Sequence, residues 1–271
     1  MSTTRPEDNE NTSTGLETEA LHEYGDKNQI IVFSETGGNI VSWKYRGVNI
    51  LYPQRKSKVV GEVKPNGGIY MCFPNFGIVD SRFGLPKHGS LCNRRADYVT
   101  NNGVFFRGRN LLGPIHNEMY QATIFLALQR DGFIYSVFAK RCEPQKQESK
   151  PVFVNAGLRT YFRTPMHEAV VMERFMPTSR IFQRRAEPRY SLADHLASIT
   201  IPGLGMVQMH LFGALWEPAV LKTTGLWRNS KEYLCVEHSL TEPRLYGEPI
   251  CPRLTNNSRP IFGCKFEVKL A

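Results

Sequence analysis

Residues Asn66 to Arg95 read NGGIYMCFPNFGIVDSRFGLPKHGSLCNRR. The stretch opens on Gly67-Gly68, runs through Cys72-Phe73-Pro74-Asn75-Phe76-Gly77 and closes on Pro86-Lys87-His88-Gly89. Glycine and proline interrupt it too often for a regular helix or a long strand. It still holds aromatic and apolar residues, and an irregular loop of that kind lines a site.

Outward from this loop the signals are those of strands. On the N-terminal side, Ile30-Ile31-Val32-Phe33 leads into the turn Glu35-Thr36-Gly37-Gly38. Residues 40–45 then alternate, with Val41, Trp43 and Tyr45 on one face and Ile40, Ser42 and Lys44 on the other. Val59 to Lys64 reads as a connector into the Gly-Gly pair. On the C-terminal side, Gln121–Leu128 and Phe133–Lys140 flank Gln129-Arg130-Asp131-Gly132, and Asp-Gly between two β-rich runs signals a hairpin. Pro202-Gly203-Leu204-Gly205 sets a second hairpin between residues 199–201 and 206–210. Residues 233–238 and 262–270 give closing strands, and residues 191–197 hold at most one short helical turn. Many short strands with Gly, Pro and Asn turns predict an all-β chain, a large antiparallel β-sandwich. Residues 1–27 are polar and without apolar periodicity, so they are expected to be a disordered tail, with residues 28–271 as one sandwich domain.

The chain has 271 residues, 41% of them hydrophobic, enough for one sizeable core. It contains no run of eighteen apolar residues, so no membrane-spanning helix is expected. The N-terminus lacks an apolar signal core and carries Glu7, Asp8 and Glu10, which points to the cytoplasm. Six cysteines without a C-x-x-C spacing argue for free thiols and against a metal or redox motif. The net charge of +9 is not gathered into a basic run; the densest points are pairs such as Arg94-Arg95. Nucleic acid is therefore not the expected partner; an anionic small molecule is, and the charge permits a macromolecular partner without requiring one.

The central stretch resembles the galactose mutarotase-like superfamily, and within it the hexose-6-phosphate 1-epimerases, or aldose 1-epimerase-related proteins. Gly67, Gly68, Ile69, Phe73, Pro74, Phe76 and Gly77, then His88, Gly89 and Asn93, carry the likeness. Asn155 to Phe162 resembles the motif L-H-T-Y-F. Trp216-Glu217-Pro218 and Leu234-Cys235-Val236-Glu237 resemble W-N-P and C-V-E. The resemblance covers everything but the N-terminal tail. It implies a β-supersandwich, an aldose 1-epimerase (an isomerase) acting on a hexose or hexose 6-phosphate, and no cofactor or metal.

Such chemistry needs a carboxylate base at the anomeric hydroxyl and a proton donor at the ring oxygen, with pKa values near the working pH. The resemblance assigns Glu237 as base and places His88 at the sugar. Read alone, Glu237 is a surface glutamate on an alternating strand, and His88 is a loop histidine satisfying backbone groups. The histidine that supplies the acid in L-H-T-Y-F is Arg159 here. A guanidinium binds anions but stays protonated and cannot serve as that acid. The arginine before Gly-Gly is Asn66, the arginine of H-G-F-A-R is Cys92, and the asparagine of W-N-P is Glu217. Arg159, Asn66, Phe76, Lys87, Arg94 and Trp216 are the expected substrate-binding residues. Three classes remain open: an epimerase with Glu237 as base and His88 as acid; a sugar- or sugar-phosphate-binding protein without turnover, as Arg159 suggests; and a structural subunit on the same fold.

Overall fold

The computed structural model describes residues 20–59, 62–109, 111–112, 118–142, 152–164, 171–173, 176–177, 196–214, 223–227, 233–240, 246–247, 253–254 and 261–271. In chain order the strands are β1 (Leu21–Gly25), β2 (Gln29–Ser34), β3 (Ile40–Tyr45), β4 (Val48–Asn49), β5 (Arg55–Val59), β6 (Glu62–Asn66) and β7 (Ile69–Cys72). Next come β8 (Tyr98–Thr100), β9 (Gly103–Gly108), β10 (Tyr120–Gln129), β11 (Gly132–Arg141), β12 (Val152–Phe153), β13 (Gly157–Phe162) and β14 (Val171–Glu173). The last are β15 (Met176–Pro177), β16 (Leu196–Ile201), β17 (Gly205–Ala214), β18 (Thr223–Trp227), β19 (Leu234–Ser239), β20 (Arg253–Leu254) and β21 (Ile261–Leu270). Two short 3-10 turns, Ser81–Phe83 and Leu91–Asn93, are the only helical elements among the described residues, and no helix there is long and apolar enough to cross a membrane.

Two antiparallel sheets carry the architecture. The first runs β1-β2-β3-β7-β13-β19-β18, with β4 beside β3; the second runs β15-β14-β16-β17-β21-β11-β10-β9-β8. The β10–β11 pair is the hairpin expected at Asp-Gly, with Gln129 opposite Gly132 so that Arg130 and Asp131 form the loop. The β16–β17 hairpin lies where Pro202 to Gly205 predicts it, with Ile201 opposite Gly205.

Side chains alternate across each strand, and the inward sets of the two sheets meet as one core. Ala122, Ile124 and Leu126 of β10, Phe133, Tyr135 and Val137 of β11, and Phe262, Cys264 and Phe266 of β21 all join it. Trp43 of β3 crosses between the sheets, its ring edge-on to Phe133 at 4.8 Å and to Phe266 at 6.0 Å. Polar ties follow the same seam: Tyr135 donates to the carbonyl of Gly38 at 3.0 Å, and Tyr45 donates to Asp131 at 2.8 Å.

Three expectations change. Leu21–Gly25 is not tail but the edge strand β1, paired with β2 from Leu21↔Ser34 to Gly25↔Ile30. An edge strand keeps one flank and much of both faces in water, so it needs few apolar residues and its composition matches a tail's. Residues 59–64 are not a simple connector: β5 and β6 form a hairpin, with Arg55 opposite Asn66 and Val59 opposite Glu62. Within the expected helical turn, Leu196 and Ala197 open β16, while residues 191–195 lie outside the described residues.

Strand β19, between β13 and the edge strand β18, is buried along its whole length. His238 lies on it, fully buried, and burial pushes its pKa from the usual 6.5 down to about 3. The folded form holds the neutral ring, whereas the unfolded chain takes up a proton below about pH 6.5. Stability from this site is complete above pH 6.5 and is lost as pH falls toward 3, at about 1.4 kcal/mol per pH unit. His238→Gln should flatten that part of a pH series of chemical denaturation curves; an unaltered acid slope would show that the ring is not its source.

Candidate functional site

Three neighbouring strands of the first sheet, β7, β13 and β19, are covered on both faces. Ile69 and Met71, Leu158 and Phe162, and Leu234 and Val236 point into the sandwich core. The alternate residues point the other way, and Tyr70, Cys72, Tyr161 and Cys235 pack there with Tyr52, Phe76, Cys92 and Tyr233 in a second buried cluster. Arg159 and Glu237 belong to this outer set by alternation.

Strand register decides what Arg159 meets. Tyr70 on β7 lies opposite Arg159 on β13, and Arg159 lies opposite Glu237 on β19, so the three form one row across adjacent strands. Arg159 Nε stands 2.6 Å from Glu237 Oε1, with the side chains only 13% and 5% exposed. The contact is an ion pair rather than an aligned hydrogen bond, because the Nε–H has no acceptor in line. The aligned bond runs the other way: Arg159 Nη1 donates to the Tyr70 hydroxyl at 2.6 Å. The guanidinium carbon also lies 5.6 Å from the Tyr70 ring centre and 5.3 Å from that of Tyr161, within cation–π range. Burial works against the charged guanidinium, but the groups around it outweigh that effect, Glu237 being the one that is an anion near neutrality, and the Arg159 pKa is raised. Burial pushes the Cys235 thiol up to about 12 and the Cys72 thiol well up too. Both are therefore neutral packing groups, not nucleophiles.

The central loop folds over the same face. Asn75 pins its two arms, its Nδ2 donating to the carbonyls of Gly77 and Pro86 at 3.1 Å each. Gly89 adopts φ +70, and a Cβ there would sit 2.1 Å from the Phe73 carbonyl oxygen, so only glycine lets the arms close. His88 takes φ 66, a left-handed conformation uncommon for a side-chain-bearing residue. Its Nδ1 accepts from the Gly77 N–H at 3.1 Å and its own N–H donates to the Gly77 carbonyl at 2.9 Å. With Nδ1 as acceptor, the neutral ring carries its proton on Nε2. The ring stands edge-on to Phe76, centroids 5.3 Å apart.

Phe76 in turn covers Gly157, two residues before Arg159. A Cβ on Gly157 would lie 2.3 Å from the Phe76 ring and 2.8 Å from the His238 carbonyl oxygen. Gly157→Ala should therefore displace Phe76 and His88 together and destabilise the chain by about 1–3 kcal/mol. A thermal melt that matches wild type would mean the loop does not bear on Gly157.

His88 meets Phe76, Phe76 shares a buried cluster with Tyr70 and Tyr161, and those two rings border Arg159, which meets Glu237. The other expected site residues fare differently. Lys87 is exposed beside His88, and Asn66 is half-buried at the end of β6. Arg94 reaches the second sheet instead, donating to the Arg107 carbonyl at 2.8 Å. Trp216 lies outside the described residues. Arg159, expected to meet an incoming anion, already has its charge matched by Glu237. Tyr70 was not singled out from sequence; its place one strand from Arg159 is what gives it a role. A cleft of about 370 Å³ opens nearby between Asn39, Gln54, Pro65, Cys92 and Asn93, but Arg159, Glu237 and His88 do not line it. Among the described residues no three His, Cys, Asp or Glu side chains gather as a metal site.

No protein-family model matches the sequence, and no curated protein matches it. Solved structures do match. A candidate aldose 1-epimerase from Escherichia coli superposes with a TM-score of 0.67 at 14% identity, over 93% of this chain and 99% of that one. A galactose mutarotase-like protein from Lactobacillus casei gives 0.64 at 12% identity, over 92% of this chain and 100% of the other. A galactose mutarotase related enzyme from Lactobacillus acidophilus gives 0.63 at 11% identity, over 93% and 100%. Likeness at these identities is one of fold, and the chain carries the galactose mutarotase-like β-sandwich fold.

Proposed function

We propose that this chain binds a hexose on the face that carries His88, Phe76, Arg159 and Glu237, and that it does so without appreciable 1-epimerase turnover. The 2.6 Å contact between Arg159 and Glu237 carries this reading.

Anomer exchange requires the anomeric hydroxyl to give its proton to a base while the ring oxygen takes one from an acid. The C1–O5 bond then breaks, the C1–C2 bond rotates in the open aldehyde, and the ring closes on the other face. Glu237 as base would have to accept its proton beside the guanidinium. Taking up that proton neutralises one partner of a buried pair and leaves the guanidinium without its counter-charge. The position from which an acid would serve the ring oxygen is Arg159 itself, which does not give up a proton near neutrality. Base and acid positions are thus tied to each other, not to a substrate. The phosphate preference expected from Arg159 loses its carrier for the same reason, so the sugar ring is the part recognised.

A second reading is a slow aldose 1-epimerase with Glu237 as base and His88 as acid. It is favoured by one observation: the Gly77 N–H on Nδ1 leaves Nε2 of His88 as a donor. Titration calorimetry of the full chain with glucose, galactose and glucose 6-phosphate tests the binding that both readings share. Saturable heat with at least one sugar is expected, and comparable affinity for glucose and its 6-phosphate. No binding to any of the three at millimolar concentration would overturn both.

A further inference from the structure

The guanidinium of Arg159 is held by two unequal partners. Glu237 attracts it through a close contact in which the Nε–H points elsewhere, whereas Tyr70 takes an aligned hydrogen bond from Nη1 at 2.6 Å. Orientation is a property of aligned hydrogen bonds, since a carboxylate left to itself draws a guanidinium into a two-pronged fork. Here that fork is absent on Nε. Tyr70 is 1% exposed, packed with Cys72, Phe76 and Tyr161 in the outer cluster, so its ring has no room to follow a wandering partner. Adjacent strands lie about 4.8 Å apart, so Tyr70 and Glu237, one strand to either side of Arg159, bracket it.

We propose that Tyr70 is a positioning residue: its hydroxyl fixes the Arg159 guanidinium across Glu237, so the site's carboxylate is engaged before any ligand arrives. This rests on the reading of the row as the site, but its test does not use a sugar. Burial holds the Tyr70 hydroxyl neutral, its pKa well above the ordinary phenol range although Arg159 pulls the other way. The bond from Arg159 therefore persists across the working pH range.

The test is nitrogen-15 NMR of arginine side chains in the full chain, with the Arg159 signals assigned by their loss in Arg159→Met. In wild type, rotation about the Nε–Cζ bond should be blocked and the Nη signals should be separate. In Tyr70→Phe they should merge, and exchange of the Nε–H with solvent should quicken at least about tenfold. Chemical denaturation gives a second reading. Tyr70→Phe should lower the folding equilibrium constant by at least about tenfold when Arg159 and Glu237 are present, as for a bond to a charged group. It should lower it by less than about threefold in an Arg159→Met/Glu237→Leu background. Unchanged Nη signals in Tyr70→Phe, or an equal loss in both backgrounds, would reduce Tyr70 to packing and overturn the proposal. Failure of every sugar to bind would leave these two results to decide Tyr70 on their own.

Discussion

Arg159→Met should destabilise the fold by about 3–5 kcal/mol, far more than an exposed ion pair would. Exposed pairs contribute about 0.2–1 kcal/mol, because water screens both charges and competes for them. Glu237 does not have that water: its side chain is 5% exposed on a strand buried along its length. Deleting only the guanidinium leaves a carboxylate that has neither solvent nor a counter-charge. Removing both partners is different in kind. Arg159→Met/Glu237→Leu gives up the attraction but also both desolvation penalties, so it should recover most of the loss and lie near wild type. Denaturant midpoints of the three proteins measure this directly. A single substitution that costs under about 1 kcal/mol would mean that the pair behaves as a surface contact and does not lock the site.

How much of this was legible in the sequence depended on whether the signal was local. The Asp131-Gly132 and Pro202-Gly205 hairpins were, because turn chemistry lies within a few residues of the strands it joins. So was the loop from Gly67 to Gly89, whose glycines mark close backbone approaches. Arg159 and Glu237 could each be picked out by motif, but not their contact: residues 159 and 237 are far apart in sequence, and only the β13–β19 register brings them opposite each other. The local reading of Glu237 as a surface residue failed because alternation reports burial only when one face of a strand is wet. Tyr70 was hidden for a related reason. It sits in Ile69–Cys72, a run buried at every position, where nothing in the sequence separates a core-facing from a site-facing residue. The strand β1 was lost in a polar tail because an edge strand needs little apolar surface.

Arg159→His should raise the rate of anomer exchange by roughly 10²–10⁴-fold over wild type, the usual contribution of a positioned acid. The substitution does two things at once. It releases Glu237 from a permanent cation, and it puts a group that can give and recover a proton where the guanidinium stood. Glu237→Gln added to Arg159→His should return the rate to that of buffer, since an amide does not accept the anomeric proton. Sugar affinity should survive that second change within about tenfold, because the amide keeps its hydrogen-bonding groups. An Arg159→His protein that folds, binds sugar and is no faster than wild type would place the obstacle to turnover somewhere other than the ion pair.

The central claim is that the Arg159–Glu237 contact holds the chain as a binder, not a catalyst, and the wild-type rate tests it most directly. The measurement is magnetisation exchange between the α and β anomers of glucose, galactose and glucose 6-phosphate, made with each sugar at a concentration that calorimetry shows to saturate the protein. The account predicts bound sugar with anomer exchange at the buffer rate. Exchange accelerated to the level of the Arg159→His variant would contradict it, and would make the wild-type chain an aldose 1-epimerase that works with its base and its arginine in contact.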